Sequence, residues 1–386
     1  MPKLSSQFLT LPEYPLADVP KLKADLRDQG VDVIDLGAGD ADLMPPESTV
    51  TALGRAAGQA RYSRYPFQLG LREFRAKIAD WMGVRFGVEL DPFEHILPLI
   101  GAKEGIAHLP LVYLDRGEGA IIPDPGYPPY FGGVHMAGGK IISVPLRREK
   151  GFLLDWEEVS ADDLARAKLL YLNYPNNPTG AVAPDEYFEA AIAFCREHDL
   201  LLAHDNAYSE IAFDGYRPPS VLQYEGALDV AVEYHTLSKT FNMTGWRIGW
   251  VAGNPQAVAS LTRVKTFLDN GLFLACQAAG IATLEAWESF LPANVAEFQA
   301  RRDAAVEGFA AAGFKVETPR ATMYLWIPIP GDEPSIQFSR RILKDSGVVL
   351  FPGAAMGAGG EGFFRVALTQ SPERMREAAR RVLEVV

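Results

Sequence analysis

Residues His235 to Trp250 read HTLSKTFNMTGWRIGW, and this stretch decides the reading of the whole chain. It sets Lys239 among small hydroxyl residues, Thr236 and Ser238 before it and Thr240 after. Arg247 follows eight residues on, and a glycine-containing apolar strand, Ile248 to Ala252, comes next. A lysine amine condenses with an aldehyde to a Schiff base. Hydroxyls together with an arginine can hold a phosphate close by. An isolated Ser-Lys pair would read as a solvated loop lysine. The flanking hydroxyls, the Met-Thr-Gly-Trp turn and the spaced arginine point instead to a phosphorylated aldehyde cofactor.

Outward from that stretch, IISVPL, KLLYLNYP, LLLAHD and VAVEYHTL are apolar runs of strand length separated by helical segments. Such alternation predicts an α/β fold, a largely parallel sheet with both faces covered. Ligands in these sheets sit at the C-terminal ends of the strands. Asn177, Asp205 and Lys239 each follow one of the runs. Upstream, HILPLIGAKEGIAHLPL reads as a strand entering a helix through Gly101. The free N–H groups of a helix's first turn make an anion site, here the backbone of Ala102 and Lys103. Residues 1 to about 30 read as an arm and a helix ending on Gly30, and STVTALGRAAGQA as a helix capped by Ser48 or Thr49. From about Gln277 the pattern turns helical, with a break expected near Pro292. FKVETPRATMYLWIPIP, a helix from Ser335, VVLFPG, FFRVAL and a final helix from Pro372 then form a smaller α+β portion.

The 386 residues are 48% hydrophobic and 22% charged, ordinary for a globular chain. A net charge of −12 argues against nucleic acid as a partner. Two cysteines, Cys195 and Cys276, are too few for a disulfide framework. No early apolar run has the length of a membrane span or a signal-peptide core, so the expected location is cytoplasmic. No HExxH, CxxC or Walker A spacing supports a metal or nucleotide site. Gly357, Gly359 and Gly362 in GAGGEG match a dinucleotide fingerprint, but a strand follows where a helix is required. That segment reads as a flexible loop.

The lysine stretch, with YPNNPTGAVA and HDNAYSEIAFDGY, closely resembles the fold-type I, class I/II aminotransferases, and the likeness spans nearly the whole chain. IGAKEGIAHLPL, DPGYPPY and the segment through FDGYRPPS resemble the bacterial LL-diaminopimelate aminotransferase subgroup. The resemblance implies pyridoxal 5'-phosphate, joined to Lys239, which then moves protons as general acid and base. It implies that Asp205 faces the pyridine nitrogen and that Tyr208 and Asn177 donate to the phenolic oxygen, with Tyr127 flat on the ring. Thr236, Ser238, Arg247 and the amides of Ala102 and Lys103 would hold the phosphate. Tyr65, selected over Tyr62 by its spacing to Gly70 and Phe74-Arg75, would reach the phosphate of a neighbouring subunit. Arg365 would anchor the substrate α-carboxylate, its planar fork matching it bidentately, beside Gly39 and Asn177. The family also implies a homodimer with shared sites. The expected division is an N-terminal arm (1–45) packing with the small domain, a large cofactor domain (46–284) and a small C-terminal domain (285–386).

The expected reaction moves the amino group of an L-α-amino acid to a 2-oxo acid. In the diaminopimelate enzymes an acidic residue a few places after the partner-derived tyrosine can serve the substrate's distal ammonium. Here the stretch is Tyr65-Pro66-Phe67-Gln68-Leu69-Gly70, with no acid. A buried ammonium left poorly paired costs kilocalories, so a neutral or aromatic amino acid is the expected donor rather than diaminopimelate. Two alternatives remain: a carbon–sulfur β-lyase of the same fold, and a non-catalytic cofactor-binding regulator.

Overall fold

The computed structural model describes residues 1–11 and 19–386; the part of the N-terminal arm at 12–18 lies outside the described residues. The helix Val19–Asp28 is followed by Gly30, whose φ of 81° suits only glycine without strain. The chain then enters a short strand, β1 (Ile34–Asp35). The main sheet comprises β2 (Ile96–Leu99), β3 (Gly119–Asp124), β4 (Lys140–Pro145), β5 (Ala167–Leu172), β6 (Leu201–Asp205), β7 (Ala231–Thr236) and β8 (Gly249–Gly253). Their order is β2-β8-β7-β6-β5-β3-β4. From β7 to β4 every pairing is parallel, whereas β8 runs antiparallel to both β7 and β2. β2 and β7 therefore share a direction. The C-terminal ends of β2, β3, β5, β6 and β7 all open onto one edge, the edge the sequence marks for a ligand.

Both faces of this sheet are buried. Ile121, Leu170 and Leu202 join a cluster on one side, while Ala120, Ile122, Leu169, Tyr171 and Ala203 join another on the opposite side. Alternation along each strand divides the side chains between the two layers. Each fully buried branched aliphatic contributes about 1.5–3 kcal/mol against exposure. Sheet edge β4 shows the contrast, since Lys140 and Ile141 are exposed there.

The C-terminal portion builds a second sheet from β9 (Tyr324–Pro328), β11 (Phe351–Pro352) and β12 (Phe363–Ala367), with β12 central and antiparallel to both neighbours. β10 (Val348–Val349) pairs in parallel with β1, so the N-terminal strand is hydrogen-bonded to this region. Leu26 packs on Leu343 and Val349 in the same place. No helix among the described residues is long and apolar enough to cross a membrane.

Three local expectations need correction. The helix Glu47–Ala57 is preceded by Pro46 and has no side-chain cap; Thr49 lies inside it, buried, with its hydroxyl 2.8 Å from that of Thr283. The helical break falls at Ala286, between Leu274–Glu285 and Trp287–Ala311, and Pro292 lies within the second helix. A proline removes one helical hydrogen bond; burial of Phe298, Ala304, Ala305 and Phe309 on that helix outweighs it. The GAGGEG segment is held rather than free. Gly359 N–H donates to Asp124 Oδ1 at 2.8 Å, and a Cβ at Gly357 would collide with the same carboxylate.

Candidate active site

Lys239 follows directly on β7. Thr236 ends the strand, and its Oγ1 accepts from Ser238 N at 3.2 Å, turning the chain into the single helical turn Leu237–Thr240. Lys239 is half-buried, and its Nζ donates to the carbonyl of Gly39. Behind it, Asn294 donates to Thr240 O at 3.0 Å and accepts from Asn242 at 2.9 Å. The long helix Trp287–Ala311 thus fixes the lysine loop from below. Arg247 has φ 55°, in the left-handed region, and donates to Thr244 O at 2.8 Å. Its guanidinium lies over Gly101, where a Cβ would sit 2.5 Å from Nη2. Only glycine lets Arg247 and the first turn of helix Ala102–His108 approach so closely. Thr236, Ser238, Arg247 and Ala102 therefore line one end of a cavity of about 440 Å³. The Lys103 side chain is exposed at its rim.

Asp205, at the end of β6, forms the cavity's floor. Tyr130 donates to its Oδ2 at 2.8 Å, while Oδ1 is buried with no partner. Burial raises the carboxyl from its ordinary value of 3.8 to about 6; the Tyr130 bond, nearby His204 and the Ala207 amide act the other way. Asn173 donates to Asp205 O at 2.6 Å, and its Oδ1 accepts from Asn177 N at 2.8 Å, so the ends of β5 and β6 are tied together. Tyr127 is half-buried at the cavity wall, edge-on to Tyr130 with ring centroids 5.7 Å apart. Tyr208 is buried, with its hydroxyl 3.2 Å from that of Tyr324.

Arg365 lies on β12 and is only 6% exposed. It donates to Asn177 Oδ1 at 2.7 Å and to Gly37 O at 2.9 Å. The rings of Tyr324 and Phe351 lie 4.1 and 4.5 Å from its guanidinium carbon. Among the described residues it pairs with no carboxylate, and its Nε is buried without a partner. A buried cation without a counter-charge is costly. Gly39 completes this end of the cavity.

The structure thus brings together every residue expected from the sequence except Tyr65. That side chain is 66% exposed and does not reach the cavity of its own chain. Two further residues belong to the site. Tyr130 repeats Tyr127 at three residues' distance on the helix Pro128–Ala137, a spacing visible in the sequence. Tyr324 shares a sheet face with Arg365, but only the β9–β12 register discloses it.

The donor set suits pyridoxal phosphate on the structure's own terms. Asp205, with one buried carboxylate oxygen left unpartnered, lines the cavity, and Arg247 lines it over the glycine cradle at Gly101. A half-buried lysine amine stands between them and the unpaired Arg365.

Comparison with known proteins shows the family. The profile of "Aminotransferase class I and II" matches residues 31–382. The chain is 46% identical over 378 residues to an LL-diaminopimelate aminotransferase of Desulforudis audaxviator, covering 98% of this chain and 96% of that one. Substrate-bound BacF from Bacillus subtilis superposes with a TM-score of 0.96 at 32% identity, covering 100% of this chain and 98% of that one. A probable N-succinyldiaminopimelate aminotransferase from Thermus thermophilus gives 0.91 at 36% identity, over 99% and 100%. The chain belongs to the class I and II aminotransferases, pyridoxal-phosphate-dependent transaminases of fold-type I.

Proposed function

We propose that this transaminase takes its amino group from a neutral or aromatic L-α-amino acid and delivers it to 2-oxoglutarate or pyruvate, acting in the cytoplasm as a homodimer. The observation that carries the donor assignment is the turn Tyr65–Gly70. It is a rigid feature: Phe67 and Gln68 both have left-handed φ (51° and 61°), Gly70 N donates to Pro66 O at 3.1 Å, and Gln68 N to Asn270 O at 3.3 Å. Tyr65 and Phe67 are exposed, their ring centroids 6.1 Å apart, and Phe267 is 85% exposed. Apolar side chains this exposed favour a second copy as their cover, and that copy's cavity would receive Tyr65. The turn then presents Phe67, Gln68 and Leu69 with no carboxylate to pair a distal ammonium.

Bound pyridoxal phosphate would supply the electron sink that acidifies the substrate Cα–H. Thr236, Ser238, Arg247 and the amides at Ala102 and Lys103 would hold the phosphate, with Tyr127 covering one face. Asp205, kept ionised by a cation opposite Oδ1, would hold the pyridine nitrogen protonated. Asn177 and Tyr208 would donate hydrogen bonds on the opposite side. Arg365 receives the α-carboxylate with Asn177 and the backbone at Gly39, bringing Cα toward Lys239. Lys239 Nζ would serve as the base that takes the Cα proton and as the acid that gives it back. We take the chain to divide into an arm (1–45) packing with the small domain, a large cofactor-binding domain (46–284) and a small C-terminal domain (285–386).

The curated relatives favour a second reading, LL-diaminopimelate as donor. A single-turnover panel decides, following loss of the cofactor's visible absorbance as each amino acid is added. Faster reaction with phenylalanine, methionine or alanine than with LL-diaminopimelate supports the proposal; the reverse order sinks it. A carbon–sulfur β-lyase would instead release pyruvate and thiol without any 2-oxo acid.

A further inference from the structure

Tyr324 is absent from the roles above, yet it touches Arg365, Tyr208 and the Gly39 backbone. On β9 it sits opposite Ala367, while Arg365 sits opposite Trp326, so Tyr324 and Arg365 are diagonal neighbours on one sheet face. Its ring lies 4.1 Å from the Arg365 guanidinium carbon. Its hydroxyl is 3.2 Å from Tyr208 Oη and fills the space beside Gly39, where a Cβ would collide with it. The Gly39 carbonyl in turn accepts from Lys239.

This placement is fixed by the backbone. Thr322, at φ 76°, donates its N–H to Ile211 O at 2.8 Å, and its Oγ1 accepts from Tyr324 N at 3.2 Å. Ala212 and Ala321 form an isolated antiparallel bridge beside it. The segment just after Tyr208 and the start of β9 are therefore held together through the backbone, which sets the two phenols side by side.

We infer that Tyr324 is a positioning residue that couples the carboxylate anchor to the cofactor side of the cavity, its ring holding Arg365 and its hydroxyl holding Tyr208. The inference rests on the roles proposed for Arg365 and Tyr208. A carboxylate arriving at Arg365 neutralises the cation against the Tyr324 ring. The phenol's acidity falls and its hydrogen bond to Tyr208 changes, at the residue that would donate to the cofactor's phenolic oxygen and so bear on the proton the cofactor holds. The charged and titratable groups around Tyr324 are Arg365 on β12, Lys239 after β7, Tyr208 and Asp205 after β6, and Tyr127 across the cavity. Arg365 and Lys239 hold the phenol below its ordinary range against the opposing effect of burial.

Substitution separates the two functions. In the protein loaded with pyridoxal phosphate, the pH midpoint of the cofactor's visible absorbance reports the imine proton. A non-reacting carboxylate, 3-phenylpropionate, reports the anchor through the midpoint shift it causes. Tyr324→Phe keeps the ring and should move the midpoint by about half a pH unit to one unit, the worth of one hydrogen bond. Its affinity for 3-phenylpropionate should stay within about threefold of native. In a Tyr208→Phe background the same change should add nothing. Tyr324→Leu should weaken 3-phenylpropionate at least about tenfold, as expected for loss of a desolvated cation–π contact. A native midpoint in Tyr324→Phe overturns the coupling, and so does an additive shift in the double variant. If Tyr324→Leu fails to fold, the isosteric Phe series alone decides. Lys239→Ala separates the levels: persistence of the titrating band there overturns the site reading itself, whereas its loss together with an unmoved Tyr324→Phe midpoint overturns only the coupling.

Discussion

Asp205→Asn tests the floor of the cavity without any catalytic assay. Asp205 is fully buried, and its carboxyl rises from 3.8 to about 6 in the folded protein lacking cofactor. A carboxyl whose folded pKa lies above its unfolded value binds its proton more tightly when folded. Its stability contribution is intact below about pH 4 and is lost as pH rises through about 6. A shift of about two units corresponds to about 3 kcal/mol. The protein without cofactor should therefore lose about 3 kcal/mol between pH 4 and pH 8 relative to Asp205→Asn, which cannot ionise. Urea denaturation at pH 4.5, 6 and 8 measures this difference. The relative slope is the readout, because a constant cost from an unpaired amide shifts all three points equally. Other carboxylates held low by arginines, Asp32 and Glu158 among them, act in the opposite sense at lower pH and are common to both proteins. Loading with pyridoxal phosphate should reverse the order, making native protein the more stable above pH 7. Parallel pH profiles for the two apo proteins would refute the assignment of Asp205 as an uncompensated buried charge.

Lys239→Ala should abolish transamination, losing at least the roughly 10²–10⁴-fold that a positioned proton carrier supplies; turnover near the native rate would end the proposal. Gly101→Ala places a methyl 2.5 Å from Arg247 Nη2 at a φ of 75°. We expect about tenfold weaker retention of cofactor on dialysis, from about 1–2 kcal/mol of strain and displacement. Mixing Tyr65→Phe with Lys239→Ala subunits should restore activity above either parent, because one site of each mixed dimer is wholly native. No recovery would place Tyr65 within its own chain's chemistry or outside it altogether.

The sheet and most of the cavity were legible because they depend on local patterns. Apolar runs ending in Asn177, Asp205 and Lys239 locate the binding edge without knowledge of strand order, since parallel strands with helical crossovers must share a direction. Glycine at 101 marks the turn that opens the helix Ala102–His108 for a comparable local reason, whereas the approach of Arg247 to it shows only in the fold. What escaped the sequence depends on distant partners. Tyr324 meets Arg365 only through the β9–β12 register, and 41 residues separate them. Pro292 invited a break because propensity is local, whereas Phe298 and Phe309 on the same helix find their contacts across the fold. GAGGEG looked mobile since nothing within it reveals Asp124, 235 residues away in the chain.

Two buried groups of opposite charge face the cavity, and neither is satisfied by the protein alone. Asp205 keeps one carboxylate oxygen unpaired, and Arg365 has only neutral partners. Had they been adjacent, they would neutralise each other, as Lys265 does with Glu104 and Asp269 nearby. The neutral groups Asn177 and the Tyr208–Tyr324 pair line the cavity with them, and the further cations there, Lys239 and Arg247, bond to the carbonyls of Gly39 and Thr244 rather than to Asp205. Neutral groups cannot discharge either ion, so each retains its attraction for a ligand charge of opposite sign. A molecule carrying a cation at one end and a carboxylate at the other relieves both penalties together. The same electrostatics explain why one arginine suffices for an α-amino acid. On the proposed dimer, discrimination among side chains would fall to the Tyr65–Gly70 turn, where Gln68 offers a hydrogen bond and no charge.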